Sequence, residues 1–212
     1  MLAQQEQSAS KRRLSAEERQ EEIVRVALDL AAHRGVDTVT TQDMAEAMGL
    51  TQGAIFRHFP TKDDIWVAVI GWVRGQLMAR LEKAAAQGGD PIDSLERMFH
   101  AHIGFIAKHP AIPRLIFSDE LRNKNPRLKQ LVQEIIIGYE QRIAALLRAA
   151  KEQGLARNDL DEESAATLYI GMIQGLVLQA SIFSGKRELT ALSKKVFPVY
   201  LNAVWRTDWS LI

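Results

Sequence analysis

Apolar side chains recur at spacings of three and four along nearly the whole chain, the period of helices packed by one face. No run alternates apolar and polar residues as a half-buried strand would, so the pattern predicts an all-α protein of about nine helices. The first, from Ser15 to about His33, carries Ile23, Val24, Ala27, Leu30 and Ala31 on one stripe. Ser15 with Glu18 forms a capping box at its start, and Gly35 is expected to close it in a left-handed cap. Residues 40–62, TTQDMAEAMGLTQGAIFRHFPTK, then hold two short helices and the start of a third. Thr40 and Asp43 cap the first of these, and Met44, Ala45 and Met48 share its buried face. Gly49 stands where a tight turn needs positive φ, and Thr51 caps a second helix that Ala54, Ile55 and Phe59 bury. Thr61 and Asp64 open a long helix through Ile65, Trp66, Val69, Trp72, Val73, Leu77 and Leu81, which Gln87-Gly88-Gly89 stops.

Downstream the pattern continues. Asp90-Pro91 begins a helix with Ile92, Leu95, Phe99, Ile103 and Ile106 on one stripe, widened by Met98, His102 and Phe105. A short helix from Ile112 to about Leu121 is expected to be broken by Pro110 and Pro113. A long amphipathic helix follows from Pro126 to Gln153, with Gly154 as its cap. Asp161 caps the next helix, which has no charged residue from Ser164 to Gly185. That run is long enough to span a bilayer, but its glutamines, serines and glycines point instead to a helix buried on nearly all sides in a protein. The last helix, about Glu188 to Arg206, contains Pro198, which is expected to bend or split it.

Charge changes the picture less than pattern does. The net charge is +1, and residues 11–62 carry eight Lys/Arg against eight Asp/Glu, so a nucleic-acid reading cannot rest on charge. The basic residues do gather in Lys11-Arg12-Arg13, at the end of a polar arm, residues 1–13, read as disordered. That arm is either a solvated tail or a strap along a DNA backbone or minor groove. No apolar run follows the basic triplet, so no signal peptide is expected and the cytoplasm is the expected compartment. The absence of cysteine rules out disulfides, thiol nucleophiles and thiolate metal sites. His100 and His102 are two apart and lie on different helix faces, and no His-Glu-x-x-His, Gly-x-Ser-x-Gly or phosphate-cradling glycine loop exists. The residues therefore suggest no enzyme, no cofactor and no metal.

The informative spacing lies within residues 40–62. Counting from Thr41, a small residue falls at position five (Ala45), glycine at nine (Gly49) and an aliphatic at fifteen (Ile55). This is the spacing of a DNA-reading helix-turn-helix, in which small residues let two helices cross steeply. With Gly35, the Thr40-Thr41 pair, Phe56, Phe59 and Lys62, the stretch resembles the DNA-binding domain of the TetR family of bacterial transcriptional regulators, from about Arg19 to Val73. The family usually has tyrosine where Phe56 stands, so a hydroxyl contact to phosphate is lost here.

The resemblance implies a three-helix DNA-binding head over residues 14–62 and a ligand-binding and dimerisation bundle over 63–212, with helix 63–87 linking them. It implies a homodimer on an inverted-repeat operator, acting most often as a repressor and released by a small apolar effector, with no membrane partner. The DNA-facing candidates are Arg12, Arg13, Thr41, Gln42, Thr51, Gln52, Gly53, Phe56, His58 and Lys62, with Gln52 the best base reader. Candidate ligand contacts are Met98, Phe99, His102, Ile103, Phe117, Tyr139, Met172, Gln174 and Phe183. Gly171-x-x-x-Gly175 on the uncharged helix, with Gln179, Pro198 and Leu201, suggests a dimer interface, against the alternative of a central helix in a monomeric bundle. A different reading of the same fold is an interaction protein that DNA binding localises while the bundle engages a protein partner.

Overall fold

The computed structural model describes residues 14–118, 123–183 and 188–205. The N-terminal arm, with Arg12 and Arg13, lies outside the described residues. Among the described residues the α-helices are, in order, α1 Ala16–Arg34, α2 Thr41–Met48, α3 Gln52–Phe56, α4 Lys62–Ala85, α5 Pro91–Lys108, α6 Ala111–Phe117, α7 Pro126–Glu152, α8 Glu162–Ile182 and α9 Leu189–Val204. Among the described residues there is no strand, only an isolated bridge between Ala156 and Trp205.

Local signals start these helices where the sequence placed them. Ser15 with Glu18, Thr40 with Asp43 and Thr61 with Asp64 all form complete capping boxes. Asp90 and Asp161 accept backbone N–H bonds at the starts of α5 and α8. Each cap contributes about 0.5–2 kcal/mol by satisfying donors that the first turn leaves free.

The head is α1, α2 and α3 around Ile23, Ala27, Met44, Ala45 and Ile55, all wholly buried. Ala45 allows α3 to cross close to α2. Gly49, at φ 64° and ψ 34°, turns the chain there, and Leu50 N–H donates to the Ala45 carbonyl at 2.8 Å. Gly35 departs from the expected left-handed cap: its φ is 87° but its ψ is 149°, so the chain leaves α1 extended and runs into a single turn of 3₁₀ helix, Val36–Thr38.

Helix α4 packs on α1 and then on α5 and α7, so it belongs to both parts of the molecule. In the bundle, α5 touches α4, α7, α8 and α9. Tyr169 of α8 donates to the Leu95 carbonyl at 2.8 Å, and Tyr200 of α9 donates to the Ala165 carbonyl at 3.0 Å. Phe99 and Phe197 stack at 4.8 Å between α5 and α9.

Three expectations need correction. Pro113 does not break α6, because it falls in the first turn, where its missing N–H would have had no partner. Pro198 sits inside an unbroken α9 and does not split it. Helix α8 is not buried on nearly all sides. Leu168, Gly171, Leu178 and Ile182 lie exposed along one stripe, while Tyr169, Ile170, Ile173 and Val177 are buried.

Candidate nucleic-acid interface and bundle cavity

Helices α2 and α3 expose Gln42, Glu46, Gln52, Gly53 and Phe56. Gln52, the first residue of α3, donates from Nε2 to Thr41 Oγ1 at 2.8 Å, tying the starts of the two helices together. Thr41 is only 7% exposed, so it supports Gln52 from beneath and does not face outward as the sequence suggested. Gln42 is exposed and donates to Glu46 at 2.8 Å. Thr51 spends its hydroxyl on the Ala54 N–H, which leaves it an exposed cap. A Cβ at Gly53 would meet nothing within 4 Å, so no packing inside the chain requires glycine there. Phe56 is 41% exposed, one turn after Gln52 on the same helix. His58 is half-buried, and its carbonyl accepts from Gln20 of α1 at 3.3 Å. Lys62, also half-buried, is the first residue of α4.

Within the bundle, side chains of α4 to α8 line a cavity of about 110 Å³. Ile70 and Leu77 of α4, Phe105 of α5, Ile112 and Ile116 of α6, Ile135 of α7 and Ile173 of α8 are typical of its walls. Only Arg74, His102, Tyr139 and Gln174 bring polar atoms to the lining. Desolvation holds the His102 imidazole neutral, with its pKa lowered from 6.5 to about 4. Burial also pushes the Tyr139 phenol up, well clear of ionisation.

Of the ligand contacts expected from sequence, His102, Phe117, Tyr139 and Gln174 line the cavity. Met98, Phe99, Ile103, Met172 and Phe183 do not. The apolar stripe of α5 is wide because it serves two neighbours: His102, Phe105 and Ile106 face the cavity, while Phe99 packs on α9. Phe183 is an exposed cap residue at the end of α8. The α4 wall was missed altogether, since its residues read equally well as the stripe of a linking helix.

The cavity wall also reaches the head. Arg114, on α6 between the lining residues Pro113 and Ile116, donates to the Ala32 carbonyl of α1 at 3.3 Å. Ser118 donates to Asp37 at 3.3 Å, and Arg127 pairs with Asp64 at 2.7 Å. The Thr61 hydrogen bond, followed by Arg127, lowers the Asp64 pKa.

On the opposite side of the bundle an apolar face is open. Leu168, Gly171, Gly175, Leu178 and Ile182 follow one another at helical spacing along α8. Ile182 is 67% exposed, and Val199 on α9 is 69% exposed beside Pro198. A Cβ at Gly171 or Gly175 would meet nothing within 4 Å in this chain. Gln179 is exposed and Leu201 half-buried.

The chain matches the family model for bacterial regulatory proteins of the tetR family over residues 23–69. A second, for the C-terminal region of YsiA-like proteins, matches residues 73–203. Among curated relatives, the nucleoid occlusion factor SlmA of Vibrio campbellii is 24% identical over 158 residues, covering 74% of this chain and 81% of that protein. A putative transcriptional regulator from Saccharomonospora viridis in complex with choline superposes with a TM-score of 0.80 at 22% identity, covering 90% of this chain and all of that one. The regulator FadR from Bacillus subtilis in complex with stearoyl-CoA gives 0.76 at 23% identity, covering 86% and 98%. From its turn at Gly49 to the bundle that α4 joins to it, the chain belongs to the TetR family of bacterial regulatory proteins.

Proposed function

We propose that this regulator binds an inverted-repeat DNA operator as a homodimer and is released, as a repressor, by a small, largely apolar effector held in the bundle cavity. The head, residues 14–62, reads the operator, and residues 63–212 bind effector and partner subunit. In this reading Gln52 contacts a base edge, Gly53 lets the duplex approach the backbone, and Thr51, Gln42, Phe56, His58 and Lys62 surround it. Thr41 acts through Gln52. The site of action is the cytoplasm, where the DNA is.

One observation carries the mechanism: α6 lines the cavity and also holds α1 through Arg114. A cavity of about 110 Å³ is small beside the several hundred of most ligand sites, so a larger effector must move a wall. Helix α6 is the shortest wall and lacks a side-chain N-cap. Its displacement would strain the Arg114 contact and shift the head relative to its partner. The coupling is reciprocal, so operator DNA must weaken effector binding by the same factor.

Of the ligands named for the two structural neighbours, the acyl chain of stearoyl-CoA suits these walls better than choline does. No carboxylate lines the cavity to balance a quaternary ammonium. The open face of α8 and α9 supports the homodimer, since an apolar stripe punctuated by unobstructed glycines admits another helix at close range.

The test is selection of bound duplexes from a randomised pool with the purified protein. An inverted repeat is the expected product, and Gln52→Ala should relax one position of each half-site at a cost of about 1–3 kcal/mol. Failure to enrich any sequence with folded, dimeric protein would overturn the operator reading. It would favour the alternative of a DNA-localised protein whose bundle engages a protein partner, which the sequence relationship to nucleoid occlusion factors also suggests.

A further inference from the structure

Two polar atoms in the cavity wall have no hydrogen-bond partner, His102 Nδ1 on α5 and Tyr139 Oη on α7. Buried polar atoms are nearly always paired, so two orphans on neighbouring residues that line one cavity are unusual. Their rings lie 5.5 Å apart between centroids, so the two side chains are neighbours in the wall. Neighbouring side chains do not satisfy them. Tyr169 meets the Tyr139 ring edge-on at 6.1 Å and donates its own proton to the Leu95 carbonyl. Arg74, the one cation in the lining, is half exposed and turned toward Glu134 at 3.9 Å. The rest of the wall is hydrocarbon apart from Gln174.

We propose that His102 and Tyr139 form a recognition point for one uncharged oxygen function, a carbonyl or a hydroxyl, on an otherwise hydrocarbon effector. This rests on the reading of the cavity as the effector site. The phenol keeps its proton and donates it. The neutral imidazole accepts a hydroxyl proton at Nδ1 or, in its other tautomer, donates to a carbonyl oxygen. A carboxylate or ammonium would be stripped of water with no opposing charge beside the pair, and is disfavoured. A pure hydrocarbon would fill the space but leave both atoms unpaired, so the site selects against it as well. The pair thus sets specificity, and the aliphatic walls supply the bulk of the affinity.

The test uses compact cyclic probes, because the cavity, about 110 Å³, is of the same order as one known to hold benzene. Cyclohexanone, cyclohexane and cyclohexanecarboxylate are titrated into the full chain carrying labelled isoleucine methyls, which line the walls. The same titrations are made with Tyr139→Phe and His102→Leu. Cyclohexanone is expected to bind the natural chain and to weaken roughly three- to tenfold in either variant. Cyclohexane should bind the variants as well as or better than the natural chain, which also reports that their cavities remain folded. An unchanged ketone-to-hydrocarbon preference in both variants overturns the recognition point while leaving the cavity as a ligand site. So does tighter binding of the carboxylate than of the ketone. If none of the probes binds the natural chain, the effector reading of the cavity itself fails and this inference falls with it.

Discussion

The head and the bundle are built from the same kind of helix, yet they differ in how space is used. In the head, α2 and α3 meet through Ala45 and Gly49, and the side chains between them are wholly buried around Ile55. In the bundle, five helices, α4 to α8, surround a space that their side chains leave unfilled. A short turn closed on an alanine has one solution. Long helices splayed around branched side chains have several, which is the property a responsive domain needs.

Overfilling the head should give the largest effect. Ala45→Leu adds three carbons at a site with no exposure and should destabilise the fold by about 3 kcal/mol, measured by denaturant unfolding. Operator affinity should collapse, while cyclohexanone still binds the bundle; loss of both together would mean that the two regions unfold as one.

Acid should act on the bundle with nearly the same size. The unfolded chain protonates His102 below about pH 6.5, whereas the folded chain keeps it neutral down to about 4. The unfolded state therefore binds more protons in that window. His102 costs no stability above pH 6.5 and destabilises progressively as the pH falls toward 4, by about 2–3 kcal/mol at the lower end. Thermal melts across this range should be markedly flatter for His102→Leu. Parallel curves for the two proteins would show that His102 is hydrated, against the burial described here.

Filling the cavity should reverse the sign. Val177→Phe, at a lining position, is expected to raise stability by about 1 kcal/mol and to exclude the cyclic probes. A fall in stability would mean that the void is too narrow for the ring. The smallest effect should come from the junction. Arg114→Ala removes one exposed hydrogen bond to Ala32, worth about 0.5–1 kcal/mol. Its signature would be a reduced effect of effector on operator affinity, with each separate affinity nearly unchanged. Full coupling in this variant would assign the transmission to α4 alone.

How much was legible beforehand follows from the range of the interactions concerned. The capping boxes at Ser15, Thr40 and Thr61 each join residues three apart, so their chemistry is written in adjacent letters. The turn at Gly49 was legible for the same reason. Burial of Thr41 was not, because it depends on Gln52 folding back across the turn, eleven residues on. Nor was the cavity. Ile70, Ile135 and Ile173 are chemically indistinguishable from core isoleucines such as Ile23 and Ile143, and only the rotation of each helix turns them toward empty space.

By itself, then, the sequence determined an all-helical chain, where its helices begin, the helix-turn-helix and the family to which these point. Those features rest on hydrogen bonds and periodicities that span a few residues. Tertiary structure alone decided which face of α5 looks at the cavity, that α4 supplies a wall of it, that α8 leaves a stripe open, and that His102 and Tyr139 meet with their polar atoms unspent. Each of these depends on the relative rotation and spacing of helices distant in the chain, which only the packing of the whole bundle sets.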